Sequence, residues 1–374
     1  MQEQITESNR IENEMFKANA ELKFVGVVGN FGGSVPVFDG QRLRTRLVRE
    51  ELKRRLVDHQ VLCVDTGGHL IRQPFKIVSI IRLFCQSDLI FIMPGPRGLM
   101  TLLPLFLFLR RALRKKVHYL VVGGWLPDFI ASRSLMAKGV GKLDGVHVQS
   151  RRMVRQLNKL SVHSVAYLPN FRNFTLSSEL RKRETRAPIH LVFLSRIIPE
   201  KGLDLAVSAV REINRMRSSK VVLLDIYGPL EKRDRSWFKK LNLENDPAIR
   251  YHGPIQHHHV IQVLTFYDAL IFPTSYDGEG FPGVIVEGYA AGLTVLASDW
   301  RDNSEVVKND VSGLLFAHYD TEAIRRAIER LLDEPGLLDR LRDGARTEAE
   351  HYHVDNVIPK LLADIGLPSE LNIN

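Results

Sequence analysis

Cysteine is nearly absent from this chain of 374 residues. Cys63 and Cys85 each sit inside an apolar run, so neither a disulfide framework nor a thiolate metal site is suggested, and a reducing compartment fits. Long apolar runs are missing too. The longest, residues 99–109, is broken by Thr101 and Pro104 and is about half of the roughly 20 residues that cross a bilayer. Residues 1–20 are polar and lack the basic start and apolar core of a secretory signal, so a cytoplasmic location is expected. No sequence repeat and no low-complexity tract is evident. Nucleic-acid module signatures and basic segments interleaved with aromatics are also lacking, which argues against a nucleic-acid partner.

What is present is globular: 44% hydrophobic and 25% charged residues, in a chain long enough for two domains. The net charge of +9 is uneven, because residues 1–185 hold 30 Lys+Arg against 15 Asp+Glu. The basic residues cluster at 42–55, 110–116 and 151–155. Such clusters attract polyanions, and with nucleic acid disfavoured, an anionic membrane surface is the expected partner, approached peripherally from the inner face.

Short β-rich apolar runs alternate with helical patterns along the whole chain, as in parallel, doubly wound sheets. Strands are expected at 23–29, 61–64, 89–93, 117–122, 145–149 and 164–168, and a second series begins at 189–194. The charged stretch 181–186 before Pro188 reads as a linker. The expected organisation is a polar extension at 1–20, a basic Rossmann-like domain at 21–185 and a second Rossmann-like domain at 186–350. A C-terminal helix at 351–374 is expected to pack back toward the first domain. Ligands of such sheets bind at the carboxyl ends of strands, which directs attention to the loops.

Two loops carry chemistry. After strand 189–194 the sequence reads Ser195-Arg196-Ile197-Ile198-Pro199-Glu200-Lys201-Gly202, placing two cations in one strand-to-helix turn. A planar guanidinium and a mobile ammonium suit a diphosphate leaving group and would neutralise its growing charge. The second loop, Tyr276-Asp277-Gly278-Glu279-Gly280-Phe281-Pro282-Gly283, runs into a helix through Glu287. Gly280 and Gly283 leave room for a ligand at the backbone, and the helix start offers N–H groups to an anion. Glu287, one turn on, could accept hydrogen bonds from a ribose diol, and Glu279 from sugar hydroxyls. His257-His258-His259 is not read as a metal site, because three consecutive imidazoles cannot converge on one ion from regular structure.

The segment from Glu279 to Glu287, Glu-Gly-Phe-Pro-Gly-Val-Ile-Val-Glu, resembles the Glu-x7-Glu motif of retaining glycosyltransferases of family four, which have the GT-B fold. Residues 195–202 resemble that family's diphosphate loop, and 268–275, 291–299, 304–307 and 312–316 resemble its adjoining segments. The first half is similar mainly through Gly29-Asn30-Phe31-Gly32-Gly33, which resembles the family's first Gly-rich loop. The resemblance implies two doubly wound domains facing a cleft. It also implies transfer of a hexosyl unit, with retention, from a nucleotide diphosphate sugar, UDP-sugar favoured. The acceptor would be lipid-linked or a saccharide, in bacterial surface polysaccharide or lipopolysaccharide synthesis.

On the same resemblance, Glu279, Arg196 and Lys201 are the catalytic residues. Glu287, Gly280, Phe281, Pro282, Gly283, Gly32 and Gly33 bind the donor. Trp125 or Asp128 takes the acceptor side, where many members place a His. No Asp-x-Asp is present to hold a nucleotide-bound cation, so neither metal nor cofactor is expected. A non-hydrolysing nucleotide-sugar 2-epimerase and a non-catalytic nucleotide-sugar or membrane-binding protein are the alternatives.

Overall fold

The computed structural model describes residues 24–33, 40–56, 60–68, 74–175 and 188–367. The polar extension at 1–20 and the linker at 181–186 lie outside them. Two compact units are present: the described residues of 24–169 with 354–367, and those of 170–353.

In the first unit, β1 (Phe24–Gly29), β2 (Gln60–Asp65), β3 (Leu89–Met93), β4 (Lys116–Leu120), β5 (Gly145–Val148) and β6 (Val165–Tyr167) make one parallel sheet in the order β2-β1-β3-β4-β5-β6. Its helices are α1 (Gly40–Arg55), α2 (Phe75–Gln86), α3 (Pro96–Leu113), α4 (Leu126–Ala131), α5 (Ser134–Val140) and α6 (Arg151–Lys159). All five residues of β3, Leu-Ile-Phe-Ile-Met, are buried, as suits a central parallel strand covered on both faces.

The apolar run 99–109 belongs to α3, where Leu102, Leu103, Phe106 and Leu109 are buried in the core of this unit. These four side chains therefore pack in the core and form no lipid-facing surface. Among the described residues no helix is long and apolar enough to cross a membrane.

The second unit repeats the plan with β7 (Ile189–Leu194), β8 (Val222–Tyr227), β9 (Ile249–Gly253), β10 (Ala269–Phe272), β11 (Thr294–Ser298) and β12 (Gly313–Phe316), in the order β12-β11-β10-β7-β8-β9. Between and after them lie α7 (Leu203–Met216), α8 (Arg235–Lys240), α9 (Val260–Leu264), α10 (Gly283–Ala290), α11 (Asn303–Val306), α12 (Thr321–Asp333) and α13 (Leu337–His351). The final helix α14 (Val354–Asp364) belongs with the first unit, where Asp355 pairs with Arg55 and, at 2.6 Å, with Arg54 of α1.

Both sheets are doubly wound, and both units have the α/β construction of the GT-B fold. The strand order of the second sheet reverses between β7 and β10, which pair directly and in parallel. Loops leaving adjacent strands on either side of such a reversal diverge to opposite faces and leave a crevice at the carboxyl edge. The two chemically loaded loops are the ones leaving β7 and β10.

The units divide at 169/170 and not at the expected 185/186. Residues 170–172 are fastened to the second unit: Asn170 Nδ2 donates to the carbonyl of Phe281 at 3.1 Å, and Arg172 Nε donates to Glu287 at 2.6 Å. A linker defined by composition does not register such contacts.

Candidate functional site

The loop after β7 passes through a single 3-10 turn, Pro199–Lys201, before α7 begins. Gly202 closes the turn at φ +71°, and a Cβ there would lie 2.2 Å from the carbonyl oxygen of Pro273. Only glycine lets this loop press against the exit of β10. The contact is reinforced by Ser275, whose N–H donates to the carbonyl of Glu200 at 2.8 Å.

Because the two loops are pressed together, their charged residues meet. Lys201 is buried and forms an ion pair with Glu279. The hydroxyl of Thr274 donates to the same Glu279 oxygen at 3.1 Å. Arg196 lies over the ring of Tyr276 at 5.0 Å, and Lys201 lies 5.0 Å from that ring and 5.3 Å from the ring of Phe272. The three residues assigned to catalysis from the sequence are therefore gathered around Tyr276, which the sequence reading did not single out. Aromatic faces hold cations by electrostatic attraction to the ring quadrupole.

The other end of the second loop is arranged differently from the expectation. Gly283 does start α10, but a Cβ on it would meet the guanidinium of Arg172 at 1.8 Å and the amide of Asn170 at 3.1 Å. The clearance is thus filled by side chains of the same unit. Phe281 is packed in the core, edge-on to Tyr352 at 4.9 Å, so its ring is not a ligand-facing group. Pro282 precedes the helix at φ −69°, and Gly280 is buried in the turn.

Glu287 is buried, held by Arg172, and 3.6 Å from Nδ1 of His257. Burial pushes the imidazole of His257 below its usual range, against the opposing pull of Glu287. His257–His259 form a 3-10 turn, with the first imidazole turned to that carboxylate.

A third loop braces the site. After β11, the indole N–H of Trp300 donates to the carbonyl of Tyr276 at 3.0 Å, and Arg301 pairs with Asp277 at 3.1 Å. Arg301 adopts a left-handed backbone, φ +52°, a conformation that costs a non-glycine residue on the order of 1 kcal/mol.

The remaining candidates lie in the first unit. Gly32 and Gly33 take φ +73° and +54° in the loop after β1. The amides of Phe31 and Gly33 donate to the two carboxylate oxygens of Asp65 at 3.0 and 3.2 Å, so these two N–H groups of the loop expected to bind the donor already have a partner. Trp125 packs against Phe129 at 5.3 Å, and its N–H donates to the carbonyl of Val122 at 2.8 Å. Trp125 is thus half-buried against the core of this unit with its polar atom satisfied. Asp128 is exposed in the first turn of α4.

Arg196, Lys201, Glu279 and Glu287 lie in a part of the chain that is similar to known proteins. The model for "Glycosyl transferases group 1" matches residues 178–348. Residues 178–348 are thus similar to group 1 glycosyl transferases, and the fold is that of GT-B. HepE of Anabaena, solved with UDP and glucose, superposes with a TM-score of 0.70 over 92% of this chain and 99% of that one, at 14% identity. The putative colanic acid biosynthesis glycosyltransferase WcaL of Escherichia coli is 28% identical over 184 residues, covering 48% of this chain and 45% of that protein. An exopolysaccharide phosphotransferase of Streptomyces coelicolor is 26% identical over 195 residues, 52% of this chain and 20% of that protein. The chain therefore spans less than half the length of these two curated relatives.

Proposed function

We propose that this protein transfers a hexosyl unit, with retention at the anomeric carbon, from a nucleotide diphosphate sugar to a lipid-linked or saccharide acceptor in bacterial surface polysaccharide synthesis. A UDP-sugar is the favoured donor, and the site of action is the cytoplasmic face of the membrane. The observation that carries this reading is the meeting of Arg196, Lys201 and Glu279 around Tyr276 at the β7/β10 reversal. The similarity to group 1 glycosyl transferases, the WcaL relative and the UDP-bound HepE neighbour support it.

In the proposed reaction Arg196 and Lys201 bind the donor diphosphate and neutralise the charge that develops as the glycosidic phosphate bond breaks. Lys201 exchanges its contact with Glu279 for a phosphate oxygen. Glu279, released, accepts hydrogen bonds from the sugar hydroxyls. The acceptor oxygen bonds to the anomeric carbon on the face the nucleoside diphosphate leaves, and the acceptor proton passes to that leaving phosphate. Glu287 receives the ribose diol, with Arg172 and His257 fixing its carboxylate.

The test incubates the full chain with UDP-, GDP- and TDP-sugars, with and without membrane-lipid acceptors, and follows nucleotide release and the anomeric configuration of the product. Acceptor-dependent release of nucleoside diphosphate with an unchanged configuration is expected. An inverted product, or conversion of the sugar without an acceptor, would overturn the reading.

A further inference from the structure

Helix α2, Phe-Lys-Ile-Val-Ser-Ile-Ile-Arg-Leu-Phe-Cys-Gln, is apolar on both sides. Its inner face buries Ile80, Leu83 and Phe84, and Phe84 stacks on Phe106 of α3 with ring centroids 5.8 Å apart. Its outer face, at the i, i+3, i+7 spacing of one helical stripe, carries Phe75, Val78 and Arg82, all exposed. The exposure is large: Phe75 is 62% and Val78 65% accessible, and Phe108 on the neighbouring α3 is 67% accessible. Ile81 and Met100 are exposed on the same two helices. Scattered apolar side chains are normal on a surface, whereas a run of them along paired helices marks a contact face.

Charge decides what that face meets. Residues 66–127 contain nine Lys+Arg and a single acidic residue, Asp88, which is taken by Lys115 at 3.5 Å. Arg82, Arg97 and Arg111 are exposed on α2 and α3, and none of them has a carboxylate partner among the described residues. A second copy of this chain would bring the same positive rim against itself. An anionic phospholipid surface satisfies both features, taking the apolar side chains at its acyl boundary and the guanidiniums among its head groups.

We infer that the outer face of α2 and α3 docks this protein on an anionic bilayer, with Phe75, Val78 and Phe108 at the lipid boundary and Arg82 and Arg111 among the head groups. This deepens the proposed action at a membrane by assigning the surface, and its readout is independent of turnover: failure of vesicle binding leaves the donor site untouched, and failure of transfer leaves vesicle binding intact.

The experiment sediments the full chain with vesicles of phosphatidylglycerol mixed with phosphatidylcholine, and with phosphatidylcholine alone, at low and high salt. The wild-type protein should partition onto the anionic vesicles and be weakened by salt. Phe75→Ser with Val78→Ser and Phe108→Ser, and separately Arg82→Gln with Arg111→Gln, should each lower partitioning about tenfold. Lys239→Gln with Lys240→Gln, the same charge loss in the second unit, should leave it unchanged. All these side chains are exposed, and circular dichroism checks that each variant folds. Absence of wild-type binding to anionic vesicles at low salt would overturn the inference, as would wild-type-like binding by both α2/α3 variants. So would a wild-type dimer that the serine variant dissociates, without any vesicle binding.

Discussion

Arg172 and Glu287 form a buried ion pair, Nε to Oε1 at 2.6 Å, between the segment that enters the second unit and the helix that begins at Gly283. The same guanidinium donates to the side-chain oxygen of Asn170 at 3.1 Å and to the carbonyl of Phe171 at 2.8 Å. It is held by three acceptors, and Glu287 is thereby aimed.

Removing one member of such a pair strands a charge out of water. Arg172→Ala should therefore lower stability by about 3–5 kcal/mol, read as a fall in the denaturant midpoint. Replacing both charges, Arg172→Met with Glu287→Leu, should cost less than Arg172→Ala alone. A single variant as stable as wild type would show that the pair is not needed to hold the segment.

Lys201→Ala and Glu279→Ala should each reduce transfer by about 10² to 10³. Lys201 is buried against Glu279, so a loss of stability accompanies the loss of rate. Glu279→Gln keeps the shape and separates the two effects: it should fold like wild type and still transfer slowly. Full activity in Glu279→Gln would remove this carboxylate from the mechanism.

If Arg196 and Lys201 carry the charge of the departing diphosphate, no divalent ion is required. Transfer should persist in EDTA at a rate close to that without it. A strict dependence on added Mg²⁺ or Mn²⁺ would contradict the proposed roles of the two cations.

The two doubly wound sheets were legible because parallel strands buried on both faces stand out as short apolar runs, as in β3 and β10. Arg196, Lys201 and Glu279 were legible because each lies in a loop following such a strand. Tyr276 was not, since its role comes from two cations reaching it from another loop. Arg172 and His257 reach Glu287 from 115 and 30 positions away in the sequence, and no local spacing encodes those approaches. Gly283 was legible as a needed glycine, but its sequence neighbours could not say that a guanidinium fills the space. The α2 surface was overlooked because the neighbouring run 99–109 is the more apolar, and that run is largely core.

Arg301 pairs with Asp277 beside the loop that carries Glu279, at the expense of a left-handed backbone. Glycine relieves the backbone and removes the pair. Arg301→Gly should therefore raise thermal stability slightly or leave it unchanged, while raising the donor KM more than it lowers kcat. A fall in stability with unaltered kinetics would make Arg301 a structural residue only.

The last prediction concerns pH. His118 and His147 are buried on adjacent strands of the first unit, with Nδ1 and Nε2 3.2 Å apart. Gly145 makes room for them, because a Cβ there would lie 2.5 Å from His118 Nδ1. Burial, opposed by Asp144 and reinforced by Lys116, takes His118 down to about 4. Burial, with His118 and Arg44 adding to it, takes His147 down to about 3. The unfolded chain binds protons at these imidazoles below about pH 6.5, while the folded unit resists doing so until the lower values are reached. Stability should therefore decline as pH falls from about 6.5 toward 4, by up to about 1.4 kcal/mol per pH unit for each imidazole. His147→Gln removes one of the two groups and should flatten the decline in the melting temperature of the first unit between pH 7 and 4. An equally steep decline in His147→Gln would move the acid sensitivity to other groups.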